Sequence, residues 1–178
     1  MANTWGKAAL DIVVPDSEFL ALITREAPEG ASQTFPAFSP TKIASGLHAV
    51  FVNPTDGLLA AFAVIAGQNT TGANTKIVRA VQGVEIEANF LGAAAADNVL
   101  AAADYGGKFD LLSSSTLIGG ASAGWYISDA TADPSVRISA FKTSHPLPNV
   151  VATDPAVGDT NARVRAIPIL TKTHWYDV

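Results

Sequence analysis

Alternating apolar and polar residues mark two segments of the chain, 84–90 and 163–170, as half-buried β-strands. In the first segment valine, isoleucine and alanine alternate with two glutamates and an asparagine. Successive side chains of a strand point to opposite faces, so one face would pack on a core and the other would meet solvent. In the second segment Pro168 predicts an edge or a bulge at the end of the strand, because proline cannot donate to a ladder.

Short apolar runs bounded by turn residues predict further strands. The run 58–66 has no decisive period, but its β-branched and aromatic residues and its flanking glycines favour a strand over a helix. Segment 53–57 (NPTDG) is a strong turn signal. The predicted strands are 47–52, 58–66, 76–81, 84–90, 108–112, 123–128, 136–141 and 163–170. Several short strands separated by turns predict a mainly β fold, a small β-barrel or sandwich.

Two segments depart from this strand pattern. Segment 91–105 is rich in alanine, the best helix former, and predicts one short helix, with Asp97 placed to cap a turn over residues 99–103. A pair of glycines, Gly106 and Gly107, would end it. The proline-rich segment 143–161 predicts a long loop, and loops of that length in a compact domain are usually functional or bound to a partner.

The first 45 residues predict an extended N-terminal arm, joined to a β-barrel-like domain over residues 46–178. Four prolines interrupt the segment, which excludes a continuous helix or a central strand. Asp16 and the two residues after it are placed to cap one helical turn. The segment is too apolar for a solvated tail, so it is expected to pack on either its own domain or another subunit.

The amino-acid composition of the chain excludes several classes of protein. The 178 residues are 48% apolar and only 15% charged, with a net charge of −5, which excludes a mostly disordered chain and argues against a nucleic-acid binder. The negative charge is concentrated in residues 81–134, either as solvated loops or as a docking face. There is no cysteine, and hence no disulfide, thiolate nucleophile or thiolate-bound metal.

One catalytic motif occurs, and its context argues against it. Residues 120–124 (GASAG) match the G-x-S-x-G nucleophile elbow around Ser122. That elbow needs a helix after the serine, whereas a strand signal follows here, and the chain lacks the alternating β/α pattern of a hydrolase. The histidines His48, His145 and His174 are far apart in sequence and lack metal-ligand spacing. We therefore predict no enzymatic activity, no cofactor and no metal.

Large apolar side chains near both ends are the best candidates for partner binding, because interface energy concentrates on such residues. For the tryptophans, the alternative is that they close the domain's own core. The candidate residues are Trp5, Phe19, Leu22, Phe35, Phe38 and Trp175.

Four stretches within residues 83–170, about half of the chain, resemble the capsid decoration (cement) proteins of tailed bacteriophages. They are GVEIEAN from residue 83, AAADYGGKFDL from residue 101, GWYISDAT from residue 124 and GDTNARVRA from residue 158. The doubled glycine at 106–107 and the long 143–161 loop depart from the family pattern. The resemblance implies a non-enzymatic protein, made in the host cytoplasm, that sits on the exterior of the virion capsid and stabilises it.

The same resemblance implies particular partners. The protein would bridge subunits of the major capsid protein and would associate with itself as a dimer or trimer, without nucleic acid or membrane. Three alternatives remain open: another virion component, such as a head-fibre base or tail protein; a ligand- or carbohydrate-binding β-domain that uses Trp125 and Tyr126; and a hydrolase that uses Ser122.

Overall fold

A computed structural model describes residues 10–14, 16–51, 55, 57–91, 99–114, 124–129, 133–141, 156–158 and 162–175. The fold is mainly β, with a closed five-stranded β-barrel, which confirms the predicted fold class. The strands are β1 (Asp11–Val13), β2 (Thr24–Pro28), β3 (Pro40–Ala44), β4 (Leu47–Val50), β5 (Ala61–Ala63), β6 (Asn74–Arg79), β7 (Glu85–Leu91), β8 (Lys108–Ser114), β9 (Gly124–Ser128), β10 (Val136–Ala140) and β11 (Arg163–Pro168). Helix α1 spans Ser17–Ile23, and single 3-10 turns occupy Ala102–Asp104 and Leu170–Lys172.

The closed barrel is built from β7, β11, β10, β8 and β9 in that order. Neighbouring strands are antiparallel, and β9 returns to pair in parallel with the second half of β7, which closes the ring. The short strand β1 pairs with the first half of β7. Apolar residues of these strands are packed in one core, as expected for a small barrel whose interior is filled by side chains. They include Ile86, Ala88, Phe90, Leu111, Ile127, Ile138, Val164 and Ala166.

A second sheet, the N-terminal sheet, has the order β2-β6-β5-β3-β4. Its two edges approach each other where Glu29 forms a parallel bridge with His48 and the Gly30 N–H donates to the His48 carbonyl (2.8 Å). Phe62 and Val78 of this sheet belong to the same core cluster as the barrel residues. The two sheets therefore share one hydrophobic core.

Two chain segments join the sheets. Residues 80–84, the connector, lead from β6 in the N-terminal sheet to β7 in the barrel. Residues 170–175, the C-terminal strap, leave the barrel after β11 and return to the N-terminal sheet. There the Leu59 N–H donates to the Lys172 carbonyl (3.1 Å), and the His174 N–H donates to the Leu59 carbonyl (2.9 Å). The strap thus fastens one sheet to the other.

The division of the chain at residue 45 was wrong as a structural boundary. Strands β2 and β3 lie inside the N-terminal sheet, and β3 forms an antiparallel hairpin with β4 across residue 45. Two of the prolines occupy strand ends, where a missing N–H costs little: Pro28 ends β2 and Pro40 begins β3. The described part of the predicted arm is therefore part of the fold rather than a free gripping segment.

The two helical predictions had different outcomes. The capped turn after Asp16 is confirmed: α1 begins at Ser17, and the Phe19 N–H donates to Asp16 Oδ1 (2.7 Å). The alanine-rich helix is wrong over residues 99–101, which are not helical and lead into a single 3-10 turn, while Asp97 lies outside the described residues. Among the residues that the structure describes, no helix has the length and apolar character needed to cross a membrane.

Candidate interaction surface

The predicted partner-binding residues occupy different environments. Phe35 is 5% exposed and belongs to the core, so its prediction as a contact residue was wrong: its ring is already packed inside the chain. Leu22 is 68% exposed, and Phe38 is also exposed, at a positive φ of 64°. Trp5 lies outside the described residues. The two remaining candidates, Phe19 and Trp175, both reach the connector.

Helix α1 lies against the connector through Phe19. A Cβ added at Gly83 would lie 2.8 Å from Phe19 Cζ, closer than real Cβ contacts come, and Gly83 has a φ of 90°. Glycine is required here both by the left-handed backbone and by the close approach of the ring. Beside this contact runs a groove lined by Val13, Val14, Gly83, Glu85, Arg165 and Ile167.

Trp175 lies beside the first half of the connector. Its indole Nε1–H donates to the Ala60 carbonyl, and the Arg79 guanidinium carbon lies 4.5 Å from the ring centroid, a cation–π contact. A second groove is lined by Ala80, Val81, Gln82, Leu170, Thr173 and Trp175. We call the two grooves together with the exposed side of α1, including Leu22, the connector surface.

A buried ionic network underlies one edge of the connector surface. Glu87 is fully buried, and its Oε1 accepts from Arg165 Nε at 2.9 Å; Arg165 also lies 3.6 Å from Glu85. Arg163, likewise buried, donates to the Glu87 carbonyl (2.8 Å) and to Asn89 Oδ1 (3.4 Å). The polar faces of β7 and β11, predicted to meet solvent, are therefore covered and internally paired over much of their length.

A polar pocket lies where the strap passes the barrel, lined in part by Asp133, Ser135 and Lys172. Lys172 is ion-paired with Asp133, and Ser135 Oγ accepts from the Leu111 N–H (3.1 Å). Burial raises the pKa of nearby Asp110; the Asp133 N–H opposes that rise in pKa and the Asp133 charge adds to it. Lys172 and Ser135 are thus both engaged in contacts within the chain.

The serine and the histidines that were considered for hydrolysis or metal binding are only partly described. Ser122 and His145 lie outside the described residues. His48 is buried in the N-terminal sheet, where its Nδ1 is 3.0 Å from Thr41 Oγ1. Over the ranges that the structure describes, no group of three or more histidine or carboxylate side chains is placed to hold a metal ion.

The aromatic pair suggested for ligand binding does not form an exposed patch. Trp125 is buried, and its Nε1–H donates to the Phe51 carbonyl (2.9 Å), which ties β9 to the end of the N-terminal sheet. Tyr126 is half-buried, and burial, followed by the charge of Asp129, raises its pKa. Trp125 is thus a core residue that links the two sheets.

The four stretches that carry the family resemblance come together in space. They contain all of β9 and most of β7, β8 and β11. β7 pairs with both β9 and β11, while β8 pairs with β9. The doubled glycine forms a tight turn in which Gly106 has a φ of 76° and its N–H donates to the Ile138 carbonyl (3.0 Å). This departure from the family pattern therefore stays within the barrel.

Comparison with known proteins adds no relative: no family model matches the chain, and no curated protein or solved structure matches it significantly.

Proposed function

We propose that this chain is a non-enzymatic structural protein of a tailed-bacteriophage virion, which decorates and stabilises the capsid exterior by bridging subunits of the major capsid protein. The observation that carries the proposal is the position of the resembling stretches. Segments up to about 80 residues apart in sequence form neighbouring strands of one barrel. The resemblance thus falls on four of the five strands of one closed unit.

The chemistry of the described residues supports a non-enzymatic role. The polar pocket holds a lysine that is already ion-paired, and its serine accepts a backbone hydrogen bond. The buried charges of β7 and β11 are engaged in holding strands together. These groups are used for structure rather than presented to a substrate.

The connector surface is our proposed attachment site for the capsid. It combines an exposed leucine with two grooves bordered by apolar side chains, and both Phe19 and Trp175 contribute to it. Exposed ion pairs contribute only about 0–1 kcal/mol each, whereas apolar anchors supply most of the energy of a typical interface. Attachment should therefore persist in 1 M salt, where charges are screened beyond about 3 Å.

The test uses heads purified from a phage that lacks the gene for this chain, to which purified protein is added. Leu22→Glu should weaken binding at least about tenfold, because it places an unpaired charge in an apolar contact. Tyr105→Glu is the matched control: Tyr105 is 65% exposed against 68% for Leu22, but it lies on the turn before β8. Co-sedimentation in 0.1 M and 1 M salt measures both variants.

Equal binding by Leu22→Glu and the wild type would show that the connector surface is not the attachment site. Release of the wild-type chain by salt alone would instead point to the acidic segment 81–134. Failure of the wild-type chain to bind heads under either condition would contradict the decoration role and favour another virion component, such as a tail protein.

A further inference from the structure

The C-terminal strap is held on the N-terminal sheet by a small set of contacts. Two backbone hydrogen bonds join it to Leu59, and the Trp175 indole donates to the Ala60 carbonyl beneath the Arg79 guanidinium. These contacts lie in one short segment, so the strap is able to detach without unpairing any strand of either sheet. Segments held by few local contacts open at lower free energy than the core.

A buried histidine lies next to this attachment point. His48 on β4 is 4% exposed, and its Nδ1 is hydrogen-bonded to the Thr41 hydroxyl. The same hydroxyl donates to the Ala61 carbonyl at 3.2 Å. Because a hydroxyl has one proton and a carbonyl can only accept, Nδ1–H must be the donor to Thr41. Nε2 is then the basic nitrogen of His48, and any added proton binds there.

A continuous set of hydrogen bonds connects His48 to the strap. The His48 ring bonds Thr41, and the Thr41 carbonyl accepts from the Ala60 N–H (2.8 Å). The Ala60 carbonyl in turn accepts from the Trp175 indole. A displacement of the His48 ring and of Thr41 would therefore reach the carbonyl that anchors the strap.

We propose that the C-terminal strap is a pH-sensitive latch, which holds the N-terminal sheet while His48 is neutral and is released when His48 gains a proton. This device does not depend on the proposed virion function. Protonation would leave a cation buried in the sheet, where an uncompensated charge is strongly unfavourable. Release of the strap would remove the charge of His174 from the vicinity of the imidazolium.

The charges around His48 favour release. On the described elements around His48, His174 on the strap and Arg79 on β6 are basic, and Glu29, which forms a bridge with His48, is acidic. The Glu29 carboxylate is directed at the backbone N–H groups of Gln68 and Asn69, from which it accepts. Burial, and then the charge of His174, lowers the pKa of His48 from 6.5. The latched state thus binds the proton less well than the released state, so latching is strongest above about pH 6.5 and weakens as the pH falls.

The experiment follows the indole N–H signals of the full chain by NMR between pH 7.5 and 5. Trp175→Phe assigns the signal of Trp175, and Trp125 is an internal control because its indole bonds Phe51 in the core. We expect the protection factor of the Trp175 indole against solvent exchange to fall at least about tenfold over this range. The Trp125 indole should keep its protection.

Two variants test the origin of the change. In His48→Gln, which retains a donor for Thr41 but cannot be charged at these pH values, the Trp175 indole should stay protected down to pH 5. In His174→Gln, loss of protection should occur at a lower pH than in the wild type, because the repulsion is gone. Simultaneous loss of protection at Trp125 and Trp175 would mean general acid unfolding and would overturn the latch. The latch would also be overturned if His174→Gln lost protection of the Trp175 indole at the same pH as the wild type. Loss of that protection in folded His48→Gln, as in the wild type, would overturn it too.

Discussion

Replacing Glu87 with glutamine is expected to lower the free energy of unfolding by about 3 kcal/mol. The Glu87 carboxylate is fully buried on the polar face of β7, where it accepts from Arg165 Nε at 2.9 Å. The neighbouring Arg163 is also buried. A neutral side chain at position 87 leaves the half-buried Arg165 guanidinium without its buried partner, and leaves less negative charge beside the buried Arg163. Breaking a buried pair in this way costs more than the pair itself contributes.

Glu85→Gln is the matched control for this prediction. Glu85 is two residues away on the same strand and interacts with the same Arg165, at 3.6 Å, but its side chain is 31% exposed. Its replacement should cost less than about 1 kcal/mol, the range of exposed ion pairs. Urea unfolding of both variants measures the difference. Equal losses for Glu85→Gln and Glu87→Gln would contradict the assignment of a buried ionic network.

Phe90→Ala is the second substitution with a large expected effect. It should lower the free energy of unfolding by about 3–5 kcal/mol. Phe90 lies on β7 in the shared core, 1% exposed, with its ring edge-on to Phe109 at a centroid distance of 5.3 Å. Removing the ring leaves a cavity between β7 and β8 at the point where β7 pairs with both β9 and β11. The surrounding strands close a ring, so they have little freedom to collapse into that cavity.

Tyr105→Ala provides the comparison for the loss of an aromatic ring. Tyr105 also makes an edge-on contact, with Phe141 at 6.1 Å, but it is mostly exposed. We expect this substitution to lower the free energy of unfolding by less than about 1 kcal/mol. Thermal and urea unfolding of the two variants test the comparison. A loss below about 1 kcal/mol for Phe90→Ala would show that β7 is not central to the core.

The strand pattern of the sequence was informative wherever side chains alternate or form compact apolar runs. β7 and β11 were predicted from their alternation, whereas their pairing with each other is shown only by the structure. The same pattern misled about the opposite face. Glutamate and arginine at alternate positions are typical of a solvated surface. Nothing local shows that Glu87 and Arg163 are buried, or that Glu87 is ion-paired with Arg165, which is 78 residues away on another strand.

The N-terminal strands were missed because their own sequences carry little strand signal. β2 (TREAP) and β3 (PTKIA) are short, polar and bounded by proline. They are strands because β6, β5 and β4 offer them hydrogen-bonding partners. Such tertiary pairing overrides local propensity and is not visible in a single segment.

The sequence singled out large apolar side chains near the chain ends as candidate contact residues, but it could not show which of them would be internal. Phe35 anchors the core, whereas Phe19 and Trp175, 156 positions apart, meet the same connector. Their convergence depends on the return of the strap to the N-terminal sheet. No local sequence pattern indicates this contact between distant parts of the chain.

The most direct test of the decoration role is electron cryo-microscopy of particles of the phage that encodes this chain, compared with particles made without it. We predict density for the barrel and the N-terminal sheet at fixed positions on the outer surface of the head, between major capsid protein subunits, with the connector surface toward the shell. That density should be missing from particles made without the chain. Heads that are identical with and without the chain, or density confined to the tail, would contradict the proposed function.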